Sequence, residues 1–368
     1  MIVKIVLVVC SLLVTVEGGT CPCSTIDLCN PITNTTRREV FIFSLNNDRN
    51  SWEKYDFTKV TTVVMVGYES PELMCHAHKF GVRAVYISNY PVEKLTNAAA
   101  RTVWVNKTLA IVKENFLDGV NIDFEDPISK NEVNLERGFT SLVAEANQRF
   151  KQELPYSQVT VDVAWRQPCV DDRCYDYSGL SAVSDFVFVM AYDERSQILG
   201  ECIAGANSPL GNAQLGIESY LSLNIPAYKM VLGVPWYGYR YKCLKLVENK
   251  CSIEKKPFRG VPCSDAAGSQ IDYRAIAILV KKNHIKINFD NSTMTPFFNY
   301  QDASNTTYQV WFDGPRSLRL KYDLADKYGL RGVGMWNADS LDYSDTISAH
   351  LQRKEMWGVL PNYRNDFN

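Results

Sequence analysis

The sequence predicts an α/β protein built as a closed (β/α)8 barrel with a long insertion after the seventh strand, and three observations carry that expectation. Short runs rich in β-formers alternate with helical stretches almost from end to end. Eight such runs can be counted, which is the number that closes a parallel barrel. No glycine-rich dinucleotide loop follows the first run, so a doubly wound open sheet is the weaker alternative. At 368 residues the chain is long enough to bury the core of one such domain.

At the N-terminus, Lys4 precedes an apolar run over 5–16 that is followed by Gly18 and Gly19. This pattern reads as a secretory leader over 1–19, removed in the mature chain. A run of 12 residues is too short for a membrane anchor, which needs about 20. Residues 20–368 then read as a single domain, with no repeat, linker or low-complexity tract. Of the 11 cysteines, losing Cys10 with the leader leaves ten, an even number expected to form disulfides in an oxidising compartment. Their connectivity is open. The gap in Cys21-Pro22-Cys23 is too tight for a zinc site, and His76 and His78 lack further ligands at metal spacing, so no metal and no cofactor are expected. Sequons at Asn34, Asn106, Asn291 and Asn305 fit a lumenal glycoprotein. A net charge of -2 without any basic tract argues against nucleic acid and anionic membrane as partners.

The eight strands are expected at 39–43, 62–67, 84–88, 119–125, 159–164, 186–193, 231–237 and 332–336. Between them, 131–154 carries Leu135, Phe139, Leu142, Val143, Ala146 and Phe150 at helical spacing. The stretch 315–328 opens with Pro315, where a first-turn proline is tolerated. The insertion spans 240–315, holds three cysteines and two of the sequons, and contains a hairpin pairing 297–300 with 308–312. A long excursion on the loop face of a barrel is expected to shape one wall of the active site. The tail 361–368 is expected to fray.

The strongest chemical signal is Asp118-Gly119-Val120-Asn121-Ile122-Asp123-Phe124-Glu125 on the fourth strand. Residues two apart share a face, so Asn121, Asp123 and Glu125 line one side and Val120, Ile122 and Phe124 the other. The apolar set suits the surrounding helices, which aims the polar set into the barrel. Burying carboxylates there costs several kcal/mol unless partners compensate. The two acids stand about 7 Å apart along the backbone, close enough that one keeps a proton at mildly acidic pH. Glu125, the outermost, is the expected general acid, with Asp123 as its supporting charge. Asp118 is out of phase and reads as strand support.

This pattern resembles glycoside hydrolase family 18, the chitinase-like barrels, whose fourth strand carries D-G-x-D-x-D-x-E. Asn121 stands where most members have the first inner Asp, a variant found in a lysosomal subgroup that also has the Cys21-Pro22-Cys23 segment. Met190-Ala191-Tyr192-Asp193, Gly233-Val234-Pro235-Trp236-Tyr237-Gly238 and Gly332-Val333-Gly334-Met335-Trp336 match the family's sixth-, seventh- and eighth-strand motifs. The resemblance implies substrate-assisted, retaining hydrolysis of β-linked N-acetylglucosamine. It implies Glu125 as acid and base, Asp123 orienting the acetamide and Tyr192 bonding to it. Asn121, Asp193, Tyr237, Trp336 and Met190 would contact the sugar, with Tyr237 inward and Trp236 outward; Trp165 could line the site or the core. The subgroup implies a lysosomal enzyme that cuts the GlcNAc-β1,4-GlcNAc core of free N-linked oligosaccharides from the reducing end, and a monomer is expected. An endo-acting chitinase and a non-catalytic lectin are the alternatives, and the presence of Glu125 speaks against the lectin.

Overall fold

A computed structural model describes residues 20–365, so the expected leader at 1–19 lies outside the described residues. In chain order the strands are β1 (Glu39–Ser44), β2 (Thr62–Met65), β3 (Arg83–Ser88), β4 (Gly119–Ile122), β5 (Gln158–Ala164), β6 (Phe186–Met190) and β7 (Met230–Pro235). There follow β8 (Tyr237–Lys242), β9 (Lys245–Val247), β10 (Lys250–Ser252), β11 (Gly268–Asp272), β12 (Asn288–Asp290), β13 (Thr295–Gln301), β14 (Thr307–Phe312) and β15 (Gly332–Trp336). Strands β1 to β7 and β15 close a barrel in the order β1-β15-β7-β6-β5-β4-β3-β2. The seam is the parallel pair of β1 and β15, from Glu39 beside Gly332 to Ile42 beside Met335.

Period-two alternation sorts the strand side chains. Phe41, Phe43, Val64, Val85, Phe186, Phe188, Met190 and Val231 fill the lumen. The opposite phase, including Val40, Ile42, Val120, Ile122 and Val161, packs beneath the helices. There the helix Val133–Glu153 buries Phe139, Leu142, Val143, Ala146 and Phe150. Each large apolar side chain so buried contributes about 1.5–3 kcal/mol. Two glycines make the lumen possible, because a Cβ at Gly233 would fall 2.3 Å from the Phe188 ring and one at Gly334 2.5 Å from it. The helix Pro315–Lys327 begins at its proline as expected.

Several strands end earlier than the apolar runs that announce them. β4 stops at Ile122 and β6 at Met190, so Asp123, Glu125, Tyr192 and Asp193 lie just past the ladder, on the barrel's C-terminal rim. The excursion between β7 and β15 begins with β8 at Tyr237, directly after β7. It forms an antiparallel sheet in the order β11-β8-β14-β13-β12, with the expected hairpin as β13 and β14. Tyr237, Tyr239 and Tyr241 on one face of β8 pack with Phe297, Trp311 and Ile198 in a core of their own.

Five disulfides pair all ten cysteines of 20–365: Cys21–Cys29, Cys23–Cys75, Cys169–Cys174, Cys202–Cys263 and Cys243–Cys251. The links spanning 52 and 61 residues tie the N-terminal segment to the second helix and the insertion to the β6 loop. By loop-closure entropy each is worth about 4 kcal/mol. Such pairing belongs to an oxidising compartment. Among the described residues no helix is long and apolar enough to cross a membrane. His76 sits among the rings of Trp52, Phe57 and Phe80. His78 is held by Leu28 and Asp118.

The expected fraying of the tail is corrected through residue 364. Tyr363 is buried, donates to Asp326 Oδ1 at 2.6 Å and carries the Arg38 guanidinium 3.6 Å over its ring. Arg364 donates to the carbonyl of Phe57 at 2.7 Å.

Candidate active site

At the end of β4 the inward side chains rise toward the rim in three steps. Asn121 is completely buried, and its Nδ2 donates to Thr160 Oγ1 at 3.0 Å and to Asp162 Oδ1 at 2.8 Å, both on β5. Asp123 follows one step higher, its backbone N–H still bonded to the Ser88 carbonyl at 3.0 Å. Glu125 stands on the rim, its side chain 45% exposed and paired with Arg173 at 2.7 Å. Asn121 was expected to touch substrate. It is instead sealed beneath Asp123 and acts as a support, because the barrel is already closed at its level.

The electrostatics follow depth. Burial raises the Asp123 carboxyl to about 7, helped by the negative charge of Glu125 and opposed by Arg173. Asp162 is pushed well above the usual carboxylate range by burial and then by Asp123, against the hydrogen bond from Asn121. Of the acids on this strand end, Asp123 is the one whose surroundings favour the protonated form. Water withdraws from Asp123, whereas Glu125 keeps solvent and a guanidinium beside it.

The opposite rim comes from β6, β7 and β15. Asp193 adopts φ 52°, a left-handed conformation, and its N–H is anchored on Asn207 Oδ1 at 2.8 Å. Tyr237 donates to Asp193 Oδ1 at 2.6 Å. Burial raises Asp193 to about 6; the Tyr237 bond opposes this and Glu125 adds to it. Trp236 faces the other way, 5.0 Å from Trp357 across ring centroids, in the helix-side core. Tyr192, Met190 and Trp336 meet at the mouth of the lumen, with Trp336 5.1 Å from Phe43.

Glu125, Met190, Tyr192 and Asp193 line one pocket. Its remaining wall holds Trp165, which therefore belongs to the site, with Asp171 and Arg173. Arg173, Asp171 and Asp162 were missed in the sequence. Asp162 was legible in principle, since Thr160 and Asp162 repeat on β5 the inward phase of Asn121 and Asp123. Arg173 gave no signal, lying in a loop outside any periodic segment. Asp118 supports the strand as expected, accepting from the N–H groups of Ile32 and Ala84 and from His78 Nε2 at 2.8–2.9 Å. Asn34, Asn106, Asn291 and Asn305 are all exposed. The only cluster of metal-type donors among the described residues, Cys21, Cys23 and Cys29, is spent on disulfides.

This geometry can protonate a leaving oxygen from the rim while a half-buried acid and a tyrosine hold a neutral polar group over the lumen. The profile of glycosyl hydrolases family 18 matches residues 89–340. Di-N-acetylchitobiase of Mus musculus is 42% identical over 350 residues, covering 95% of this chain and 95% of the relative. Di-N-acetylchitobiase of Homo sapiens is 42% identical over 344 residues, covering 93% and 89%. The class V chitinase of Nicotiana tobaccum superposes with a TM-score of 0.70 at 14% identity, over 88% of this chain and 99% of that one, a likeness of fold.

Proposed function

We propose that this chain, which belongs to glycosyl hydrolase family 18, cleaves the GlcNAc-β1,4-GlcNAc core of free N-linked oligosaccharides at the reducing end. The observation that carries the reading is Glu125 on the rim of a pocket, with the next inward acid of its strand, Asp123, half-buried and raised to about 7. The relatives named di-N-acetylchitobiase, similar over nearly their whole length, support this choice of bond.

In this reading Glu125 protonates the glycosidic oxygen while the carbonyl oxygen of the sugar's acetamide attacks the anomeric carbon. Asp123 holds the acetamide N–H and stabilises the oxazolinium ion, and the Tyr192 hydroxyl donates to the acetamide oxygen. Asp162 and Asn121 lie beneath them, joined by a hydrogen bond of 2.8 Å. Trp336 and Met190 are the apolar floor under the reacting ring, and Asp193 with Tyr237 takes its hydroxyls. Water, deprotonated by Glu125, then opens the intermediate with retained configuration. No step needs a metal or cofactor. The mature enzyme is taken as a single domain over 20–368, released from its leader, monomeric and at work in the lysosome lumen. Five disulfides and raised carboxyls suit an acidic, oxidising lumen.

Product analysis by mass spectrometry tests the reading. The substrates are a chitobiose-ended oligosaccharide with a free reducing end and the same glycan on asparagine. Release of one GlcNAc from the free form alone is expected; cleavage of both means an endo-acting chitinase, and of neither a lectin. Glu125→Gln should lower kcat by about 10²–10⁴ while binding persists. Undiminished turnover in that variant removes Glu125 from its role.

A further inference from the structure

Six residues closed by the Cys169–Cys174 disulfide form the wall of the pocket beside Glu125. Two consecutive non-glycine residues of this loop, Asp171 and Asp172, are left-handed, with φ 56° and 59°. That conformation costs free energy and persists only where the surroundings impose it. Here they impose it from three sides. On the β4 side, Ile128 N–H donates to Asp172 O and Cys174 N–H to Ile128 O, both at 2.9 Å. From the β6 loop, Ser196 Oγ donates to Asp171 Oδ1 at 2.7 Å. From the insertion, Arg259 pairs with Asp172 at 3.4 Å. The result divides the charges, since Asp171 and Arg173 line the pocket while Asp172 faces solvent. Arg173 keeps a buried Nε with no hydrogen-bond partner.

Position assigns the wall to one substrate subsite. The reacting ring, in the reading given above, lies over the lumen against Trp336 and Met190. Glu125 must face the oxygen between the two sugars, so the departing sugar lies on the flank of Glu125 that carries Arg173, Asp171 and Trp165.

We propose that the 169–174 loop is an end wall for the leaving sugar, in which Asp171 and Arg173 receive its free anomeric hydroxyl and exclude anything attached there. This rests on the proposed function and adds the residues that make it act from the reducing end. A free hydroxyl can donate to the Asp171 carboxylate and accept from the Arg173 guanidinium. A substituent on that oxygen removes the donor, leaves the carboxylate unpaired and meets a braced wall. Sites that hydrogen-bond a substrate hydroxyl reject analogues lacking it by large factors, often above a hundredfold.

The test compares kcat/KM for N,N′,N″-triacetylchitotriose and its 1-O-methyl glycoside, using the full mature chain, Asp171→Ala, and the double variant Cys169→Ala/Cys174→Ala. The wild type should prefer the free sugar by about a hundredfold or more, and Asp171→Ala should cut that preference at least about tenfold. The double variant should cut it too, and Asp171→Ala keeps the test decisive if that variant misfolds. Equal treatment of the two sugars by the wild type, or an undiminished preference in Asp171→Ala, overturns the proposal. Should the wild type turn over neither sugar, the proposed function fails, and the wall is judged by calorimetric binding of the same pair. There, a preference for the free sugar that Asp171→Ala removes supports the wall, and equal affinities refute it.

Discussion

Raised carboxyls make the fold itself a pH-dependent object, and Glu194 isolates the effect. It follows Asp193 on the β6 loop, and both its carboxyl oxygens are buried. Burial raises it from 4.5 to about 8, against the pull of Lys321 and a hydrogen bond from Asn212. Between those values the native state holds a proton that the unfolded chain releases. The stabilisation is therefore full below the unfolded value and is lost as pH rises through the folded one. Each such proton is worth about 1.4 kcal/mol per pH unit. Asp123 and Asp265, raised to about 7, Asp193, raised to about 6, and Asp162, raised well above the carboxylate range, add to it over much of the same window. From pH 5 to 6.5 Glu194 alone gives a slope of about 1.4 kcal/mol per unit. For a chain of 368 residues, whose unfolding entropy is about 0.75 kcal/mol per K, that one proton lowers the melting temperature by about 2 °C per unit. Glu194→Gln keeps the shape and removes one titration, so its melting temperature should fall less steeply than the wild type's by about 2 °C per unit. Differential scanning calorimetry at pH 5.0, 5.5, 6.0 and 6.5 reads both slopes. A wild-type melting temperature that rises with pH, or a slope unchanged in Glu194→Gln, would refute the reasoning.

Asp118→Ala strands the N–H groups of Ile32 and Ala84 and the His78 ring in a dry site. At about 1–3 kcal/mol per buried unpaired group the loss should reach 3–5 kcal/mol in urea denaturation, and one below about 1 kcal/mol would contradict the support role. Arg173→Met withdraws the positive charge that holds Asp123 down, so the basic limb of the pH–rate profile should move to higher pH by up to about one unit. A limb that stays put or moves down would uncouple Arg173 from the acid pair. Secreted recombinant protein, treated with a peptide N-glycosidase, should show asparagine converted to aspartate at the exposed Asn34, Asn106, Asn291 and Asn305 by peptide mass spectrometry. Unconverted asparagine at all four would remove the sequons as glycan sites.

The barrel was legible because its strands are buried on both faces and keep a strict period of two. Phe41 and Phe43 against Val40 and Ile42 already separate lumen from helix side. The insertion was legible only at its hairpin. Strands such as Lys245–Val247, Lys250–Ser252 and Asn288–Asp290 have three residues each, too short for alternation to show. What holds the tail and the disulfide network is contact across long stretches of chain, as between Arg38 and Tyr363. No local pattern encodes such a pairing.

For the site, the phase of a strand outlives its ladder. β4 loses its pairing after Ile122, yet Asp123 still faces inward, so the reading found the facing while overrunning the strand. Phase says nothing of depth, and depth decides the chemistry. Asn121, Asp123 and Glu125 look equivalent at a spacing of two, but the first is sealed, the second is raised by burial and the third is exposed beside Arg173. How far each side chain is withdrawn from water depends on how high the barrel wall stands around it. Strand lengths, the 169–174 loop and the insertion set that height together. A motif can therefore name the acids of this site, while their division of labour comes from elements dozens of residues away.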